Sequence, residues 1–202
     1  MAQTTLIIET ATAACSVALL QDGEVVAERH EVVSRGHAEK LVPMIADLLG
    51  GARPDAILVD CGPGSFTGLR VGLAAAQGLA IGWKVPVAGF SSLALLAAMS
   101  GAAAVAAALH GGHGELFVQS FGGDPLAPLG PSHSLPPEAA AAAVEAELVI
   151  GPAAPLLVAA RGSGRAIDAL PRAADVSLLP EALRALPARP IYGRAPDARP
   201  MG

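Results

Sequence analysis

The amino-acid sequence predicts an α/β fold of two half-domains with mixed sheets, of which the second is truncated. Three observations predict it. The 202-residue chain opens with apolar runs separated by hairpin-length turns, a pattern typical of antiparallel strands. From residue 34 onward, helical and strand-like segments alternate, which indicates parallel pairing. After residue 103, two apolar runs repeat the opening weakly, which indicates a second copy.

The first elements predict an antiparallel meander followed by a helix. The three strands are expected at residues 4–8, 15–20 and 24–33. Ser34 is the expected N-cap of the helix, and Gly50-Gly51 ends it. The apolar residues of this helix fall on one face. They are Ala38, Leu41, Val42, Ile45, Leu48 and Leu49.

The middle of the chain alternates between strands and helices. Strands are expected at residues 56–59 and 85–89, and helices at residues 69–82 and 91–99. Three antiparallel strands followed by strand-helix-strand-helix is the pattern of an actin-like, or ribonuclease H-like, half-domain. We therefore assign residues 1–103 to the first half-domain.

Residues 104–202 are assigned to a smaller second half-domain of the same kind. The expected elements are a strand up to Leu109, a strand at residues 115–121, a loop at 125–137 and an Ala-rich helix at 138–147. Beyond them, prolines interrupt the chain too often for the pattern to predict further elements.

The composition excludes several classes of protein. The chain is 52% hydrophobic and carries 18 acidic against 13 basic residues, for a net charge of −5. Such a chain is too apolar to remain disordered. Both halves are acidic, so neither presents the basic field that a nucleic-acid backbone requires. If nucleic acid matters to this protein, a partner supplies most of the cationic surface.

The expected compartment is the cytoplasm. The N-terminus lacks the basic start and long apolar stretch of a signal peptide, and Cys15 and Cys61 are too few for a disulfide framework. Residues 85–109 carry no charge, but Pro86 and Gly101 interrupt them. We therefore expect a strand, a helix and a strand there instead of a membrane span.

The glycine loop, defined as residues 62–68 with the sequence Gly-Pro-Gly-Ser-Phe-Thr-Gly, has two interpretations. Its backbone N–H groups and the positive end of the following helix suit a phosphate or nucleotide. Alternatively, it is a tight strand-to-helix connection capped by Ser65 or Thr67, since it lacks the Gly-Lys-Ser/Thr ending of a P-loop.

The turn Glu-Thr-Ala-Thr at residues 9–12 also has two interpretations. In an actin-like cleft, its acid would hold a metal and its hydroxyls would touch phosphates. In an ordinary turn, the threonines would satisfy local backbone groups. The candidate phosphate or nucleotide contacts in this turn and in the glycine loop are Glu9, Thr10, Thr12, Gly62, Gly64, Ser65 and Thr67.

The helix expected at residues 69–82 has Arg70 and Gln77 as its only strongly polar side chains. A helix without a solvated face must be covered on both sides. One side covers the sheet. The other offers a smooth surface of small residues, which either faces a partner or is covered by the chain's own helix at residues 37–49 or its second half. Met44 and Leu48 are expected to lean toward the same exposed seam.

The histidines do not predict a metal site. His110 and His113 flank two glycines in an expected hairpin turn, where a solvated role is favoured over zinc. The sequence shows no Ser/His/Asp set, no paired-carboxylate site and no Cys nucleophile with a base.

The glycine loop belongs to a longer set of motifs. Residues 62–70 read Gly-Pro-Gly-Ser-Phe-Thr-Gly-Leu-Arg. The accompanying motifs are Ile-Glu-Thr-Ala-Thr (8–12), Cys-Ser-Val-Ala-Leu (15–19), His37, Leu-Val-Pro-Met-Ile (41–45) and Tyr-Gly-Arg-Ala-Pro-Asp-Ala (192–198). This set resembles the TsaB family of bacterial tRNA threonylcarbamoyladenosine biosynthesis proteins, and the resemblance is strongest over residues 5–99.

The resemblance implies an actin-like ATPase fold without catalytic machinery, metal or cofactor of its own. It implies that the chain pairs with a TsaD-type transferase, recruits a TsaE-type ATPase and forms a homodimer when alone. ATP or ADP is then expected only at the partner interface, and tRNA only through the complex.

The family's pairing uses two helices, which correspond here to residues 37–49 and 67–82. The implied interface residues are His37, Leu41, Met44, Leu48, Gly68, Val71, Gly72, Ala75 and Leu79. The chain departs from the family at Glu9, where Asp is usual, and at Asp60-Cys61 before the glycine loop.

The leading hypothesis is a non-catalytic scaffold that activates a TsaD-type transferase. The alternative is a stand-alone actin-fold phosphotransferase or ATPase, with the glycine loop as phosphate cradle and Glu9 on magnesium. A third hypothesis, a glycoprotease, is the weakest because the sequence shows neither its nucleophile nor its metal set.

Overall fold

The computed structural model describes residues 2–192 and contains a first sheet with the expected meander. Its strands are β1 (Thr4–Glu9), β2 (Ala14–Gln21), β3 (Glu24–Val32), β4 (Ala56–Asp60) and β5 (Val87–Phe90). The strand order is β3-β2-β1-β4-β5. Strand β1 is antiparallel to β2 and parallel to β4, and β4 is parallel to β5. The predicted change from antiparallel to parallel pairing is confirmed.

The helices of the first half are α1 (His37–Leu49), α2 (Phe66–Trp83) and α3 (Ser92–Met99). The expectation that Ser34 caps α1 is wrong. Gly36 occupies the N-cap with a φ of 91°, a left-handed conformation that glycine adopts without steric cost. Gly50 ends α1 as expected, also with a positive φ of 56°.

The second sheet repeats the first with shorter outer strands. Its elements are β6 (Ala104–His110), β7 (Leu116–Gly122), β8 (Ala127–Pro128), β9 (His133–Leu135), α4 (Pro137–Ala143), β10 (Leu148–Ile150), α5 (Ala154–Arg161) and β11 (Arg165–Ile167). The order is β11-β10-β6-β7-β8, with β9 also on β7. Strand β6 is antiparallel to β7 and parallel to β10, as β1 is to β2 and β4. The actin-like fold with a reduced second copy is therefore confirmed.

Three details of the second half differ from expectation. The segment at residues 125–137 contains the short strands β8 and β9 in place of a simple loop. Helix α4 ends at Ala143, before the expected end at Glu147. Residues 148–167, for which the sequence predicted nothing, form a strand, a helix and a strand.

Helix α3 lies in a hydrophobic core that both sheets share. Leu93, Leu95 and Leu96 are fully buried there. The core joins Ile7 and Leu58 of the first sheet to Val105, Leu109 and Ile150 of the second. The boundary at residue 103 stays a prediction, since the two halves are packed around one core.

Residues 85–109 divide into β5, α3 and β6, as the sequence predicted. Across residues 2–192, none of the helices is both long enough and apolar enough to span a bilayer.

The segment that follows β11 returns to the first sheet. It contains short 3₁₀ helices at Ala173–Leu178 and Glu181–Leu183. The backbone N–H of Ala173 donates to Ser16 Oγ at 3.0 Å. Leu186 pairs with Gly89 as an isolated antiparallel bridge on the free edge of β5. Of the C-terminal motif at residues 192–198, only Tyr192 lies within the described residues.

Candidate functional site

The N-terminus of α2 rests on the turn between β1 and β2. The Ser65 N–H donates to the Ala11 carbonyl at 2.6 Å, and the Thr10 hydroxyl donates to the Gly68 carbonyl at 2.8 Å. Ser65 Oγ accepts a hydrogen bond of 3.2 Å from the Gly68 N–H and so caps α2. The glycine loop and this turn are therefore packed against each other by direct hydrogen bonds.

The glycines of this region allow that close approach. A Cβ atom on Gly64 would collide with the Ala11 carbonyl oxygen, one on Gly68 with the Thr10 carbonyl oxygen, and one on Gly72 with the Thr10 hydroxyl. These glycines face the chain's own backbone. The geometry favours the interpretation of the loop as a tight connection.

The other candidate phosphate contacts lie in different surroundings. Ser65 and Thr67 are exposed, whereas Gly62 is buried. Thr12 is half-buried, and its hydroxyl accepts a hydrogen bond from the Ala14 N–H at 3.1 Å. Contact between any of these residues and a nucleotide stays a prediction.

Glu9 is part of a pair of buried carboxyl groups that the sequence analysis missed. Glu9 and Asp60 end the neighbouring parallel strands β1 and β4, and their exposed fractions are 0% and 1%. Glu9 Oε1 accepts from the Ala11 N–H at 2.8 Å, and Asp60 Oδ1 from the Gly62 N–H at 2.7 Å. The Ser92 hydroxyl lies 2.8 Å from both Asp60 oxygens. Each carboxyl group thus anchors the turn that follows its strand.

Burial controls the ionisation of this pair. Desolvation is the largest cause that raises the pKa of Glu9 well above its usual value, and the charge of Asp60 raises it further. Desolvation also raises the pKa of Asp60, although hydrogen bonds from Gly62 and Ser92 oppose that shift. Burial and the charge of Asp60 both favour the protonated form of Glu9 over its ionised form. One feature of the sequence could have indicated this pair of carboxyl groups: each acid follows an apolar strand and precedes a turn.

The implied interface residues divide into buried and accessible groups. The expectation that Met44 and Leu48 lean toward an exposed seam is wrong, because their exposed fractions are only 7% and 8%. Leu41, Gly68 and Gly72 are also buried, because they face the sheet or the turn at Thr10. The half-buried members are Val71, Ala75 and Leu79.

His37 is buried as well, and it has a structural role within the chain. Its Nε2 lies 3.0 Å from the carbonyl oxygens of both Thr12 and Ala14. As an N–H donor, it ties the first residue of α1 to the turn between β1 and β2.

Another set of residues on α1 and α2 faces outward. We call it the outer helix face, and it consists of Val42, Ala46, Ala74, Gly78, Ile81 and Gly82, all of which are exposed. Ile81 has an exposed fraction of 79% and Val42 of 57%. Beside them, a cleft of about 260 Å³ between the two helices is lined by Leu79 and Trp83, among others. The second half of the chain, as far as residue 192, leaves these residues exposed.

An aromatic cluster lies at the start of α2. The Arg70 guanidinium is 3.7 Å from the centroid of the Phe66 ring, and the Tyr192 ring centroid is 6.5 Å from that of Phe66. Phe66 and Tyr192 remain more than half exposed. Tyr192, the first residue of the C-terminal motif, therefore lies beside Phe66 of the glycine loop.

No three His, Cys, Asp or Glu side chains within residues 2–192 come together as a metal-binding group. His110 is exposed, and its Nε2 lies 3.1 Å from the Pro152 carbonyl oxygen.

Two solved structures superpose on nearly the whole chain. YeaZ from Pseudomonas aeruginosa superposes with a TM-score of 0.79 and 33% identity over 94% of this chain and 99% of that one. A second Pseudomonas aeruginosa crystal structure, described as an uncharacterized protein with similarity to peptidase YEAZ, gives a TM-score of 0.79 and 34% identity over 95% of this chain and all of that one. The chain belongs to the TsaB (YeaZ) family.

Sequence comparisons agree with this TsaB-family assignment. The Escherichia coli tRNA threonylcarbamoyladenosine biosynthesis protein TsaB is 43% identical over 121 residues, which are 55% of this chain and 52% of that protein. The chain thus spans about half the length of the curated relatives it matches. A family model described as TsaD, tRNA N6-adenosine threonylcarbamoyltransferase, matches residues 23–148, which is more than half of the chain.

Proposed function

We propose that this chain is a non-catalytic subunit in tRNA threonylcarbamoyladenosine biosynthesis and that it docks on a TsaD-type transferase through the outer helix face. The names of its relatives and of the matching family model support the pathway. The observation that carries the docking proposal is the apolar side of α2, on which Ile81 is 79% exposed.

The chemistry of the outer helix face suits a protein partner. On α2, the exposed residues Ala74, Gly78, Ile81 and Gly82 follow the i, i+4, i+7, i+8 spacing of one side of a helix. An exposed apolar patch of this kind marks an interaction site. Ala74, Gly78 and Gly82 keep this side of α2 flat, so a helix of the partner can approach its backbone closely. A specific pair buries roughly 1,000 Å² or more in total, which requires residues from both α1 and α2.

The surroundings of the glycine loop support the non-catalytic part of the proposal. A phosphate cradle needs space above its glycines. Gly64 and Gly68 instead contact the backbone at Ala11 and Thr10. This packing argues against the alternative of a stand-alone phosphotransferase or ATPase.

Within the assembly, the chain would hold the transferase in its active arrangement. It would also contribute to recruitment of a TsaE-type ATPase and would form a homodimer through the same face when alone. In this proposal the protein works in the cytoplasm, tRNA contacts the complex through the partner, and ATP or ADP binds only at the partner interface.

The test compares two substitutions of exposed apolar residues, Ile81→Glu on α2 and Leu129→Glu, at a position that is 68% exposed in the second half. Calorimetric titration with the TsaD-type transferase of the same organism is expected to show affinity lost by Ile81→Glu and retained by Leu129→Glu. A charge buried without a partner at an interface costs several kcal/mol, which is enough for this loss.

Undiminished affinity of the Ile81→Glu variant would contradict docking through this face. A separate titration of the isolated wild-type chain with Mg-ATP addresses the alternative. Turnover of ATP by the isolated chain would contradict the non-catalytic role.

A further inference from the structure

The enclosed pair of Glu9 and Asp60 contains an oxygen without a partner. Glu9 Oε2 is buried, and no described residue offers it a donor. An ionised Glu9 would leave this oxygen unpaired beside a second buried negative charge, and both are costly. A neutral Glu9 carries an O–H donor at Oε2, with the Asp60 carboxylate beside it as acceptor. One proton therefore satisfies both carboxyl groups.

The pair is also placed where it joins two turns. Glu9 holds the turn at residues 10–13 through the Ala11 N–H, and Asp60 holds the glycine loop through the Gly62 N–H. Asp60 additionally accepts from Ser92 at the start of α3. The contact between the two carboxyl groups thus links β1, β4 and the first turn of α3 at one point.

We propose that Glu9 and Asp60 share one proton in the folded protein, with Glu9 Oε2–H donating to the Asp60 carboxylate, and that loss of this proton at alkaline pH separates the turn at residues 10–13 from the glycine loop. In this step, hydroxide takes the proton as water, and two adjacent carboxylates remain. Their repulsion acts on the turn that supports the N-terminus of α2, because the Thr10 hydroxyl donates to the Gly68 carbonyl in the first turn of that helix.

Two thiols and a histidine lie on the elements around the pair. Burial raises the pKa of the Cys15 thiol on β2 to about 11, and it raises that of Cys61 after β4 to about 11. Both thiols therefore hold their protons more tightly in the folded protein, and they add to the loss of stability once the pH passes the ordinary thiol pKa. His37 on α1 faces the carbonyl oxygens of Thr12 and Ala14. No basic side chain contributes to the shift of either carboxyl group within the described residues.

The sign of the pH effect follows from linkage. Because the pKa of Glu9 is raised in the folded state, the folded protein holds the proton more tightly than the unfolded chain does. The stabilisation is complete at low pH and is lost as the pH rises through the folded-state pKa. Between the unfolded-state and folded-state pKa values, only the folded state still holds the proton, so unfolding releases it and the unfolding equilibrium constant rises by up to about tenfold per pH unit.

The test is denaturant unfolding of the full chain, from neutral to alkaline pH, for the wild type, Glu9→Gln and the control Glu24→Gln. The amide group that Glu9→Gln introduces donates to Asp60 without titrating, so we expect the decline in stability between neutral pH and the onset of thiol ionisation to disappear in this variant. Glu24 is exposed at the start of β3, and its variant is expected to keep the wild-type decline. A flat wild-type profile, or an unchanged decline in Glu9→Gln, would overturn the proposal.

A second measurement needs no variant. Infrared spectroscopy of the wild-type protein is expected to show the carbonyl band of a protonated carboxylic acid at neutral pH, and the band should vanish as the alkaline transition proceeds. Over the same range, hydrogen exchange at the Ala11 and Gly62 amides should accelerate beyond the intrinsic effect of pH. Absence of the band at neutral pH would overturn the proposal even if Glu9→Gln failed to fold.

Discussion

Helices α2 and α3 have similar sequences and opposite surroundings. Both are largely apolar, and both follow a parallel strand of the first sheet. Residues 92–97 of α3 are all buried, because the helix lies between the two sheets. Helix α2 packs on the outer side of the first sheet and leaves Ile81 79% exposed. An apolar helix sequence therefore indicates that both sides of the helix need to be buried. Whether the chain itself or a partner buries them depends on the tertiary structure.

The largest expected effect comes from α3. Leu95→Ala removes a fully buried side chain from the core shared by both sheets. We expect it to lower the free energy of unfolding by about 2–5 kcal/mol, as large-to-small core substitutions do. Denaturant unfolding measures the change.

The matched control is Ile81→Ala on the exposed side of α2. Its free energy of unfolding is expected to stay within about 0.5 kcal/mol of wild type, because the side chain is surrounded by solvent. If both substitutions lower the free energy of unfolding by the same amount, the two helices are equally buried and the comparison fails.

A smaller effect is expected where α2 touches the turn at Thr10. Gly68→Ala places a methyl group against the Thr10 carbonyl oxygen. The backbone at Thr10 or at the start of α2 must then shift to make room. We expect a loss of about 1–3 kcal/mol in the free energy of unfolding, typical of overpacking. Wild-type stability in Gly68→Ala would show that α2 is not seated on the turn as described.

The sequence predicted the first half of the fold almost completely, because its elements are long and regular. The change from hairpin spacing to strand-helix alternation placed all five strands of the first sheet. In the second half, β8 to β11 have only two or three residues each. Strands β8 and β9 are held by pairing with β7, β10 by pairing with β6, and β11 by pairing with β10. Their own sequences carry too few positions to show a period.

The candidate site was harder to predict, because it depends on which chain segments meet. The sequence singled out Glu9 and the glycine loop separately. It could not show that the parallel pairing of β1 with β4 places Asp60 beside Glu9. Likewise, the small residues of α2 were taken as one surface, whereas Gly68 and Gly72 face Thr10 and Gly78 faces open space.

Gly78 therefore provides the smallest and most specific prediction. It lies in the interior of α2, and a Cβ added there would meet no atom within 4 Å. Gly78→Ala is expected to raise the free energy of unfolding by up to about 1 kcal/mol, because alanine favours the helix. The same methyl group stands on the outer helix face, so affinity for the TsaD-type transferase should fall although the isolated chain is more stable. Denaturant unfolding and calorimetric titration of one preparation measure both quantities. A loss of stability would mean that the chain itself covers this side of α2, and unchanged affinity would place the partner elsewhere.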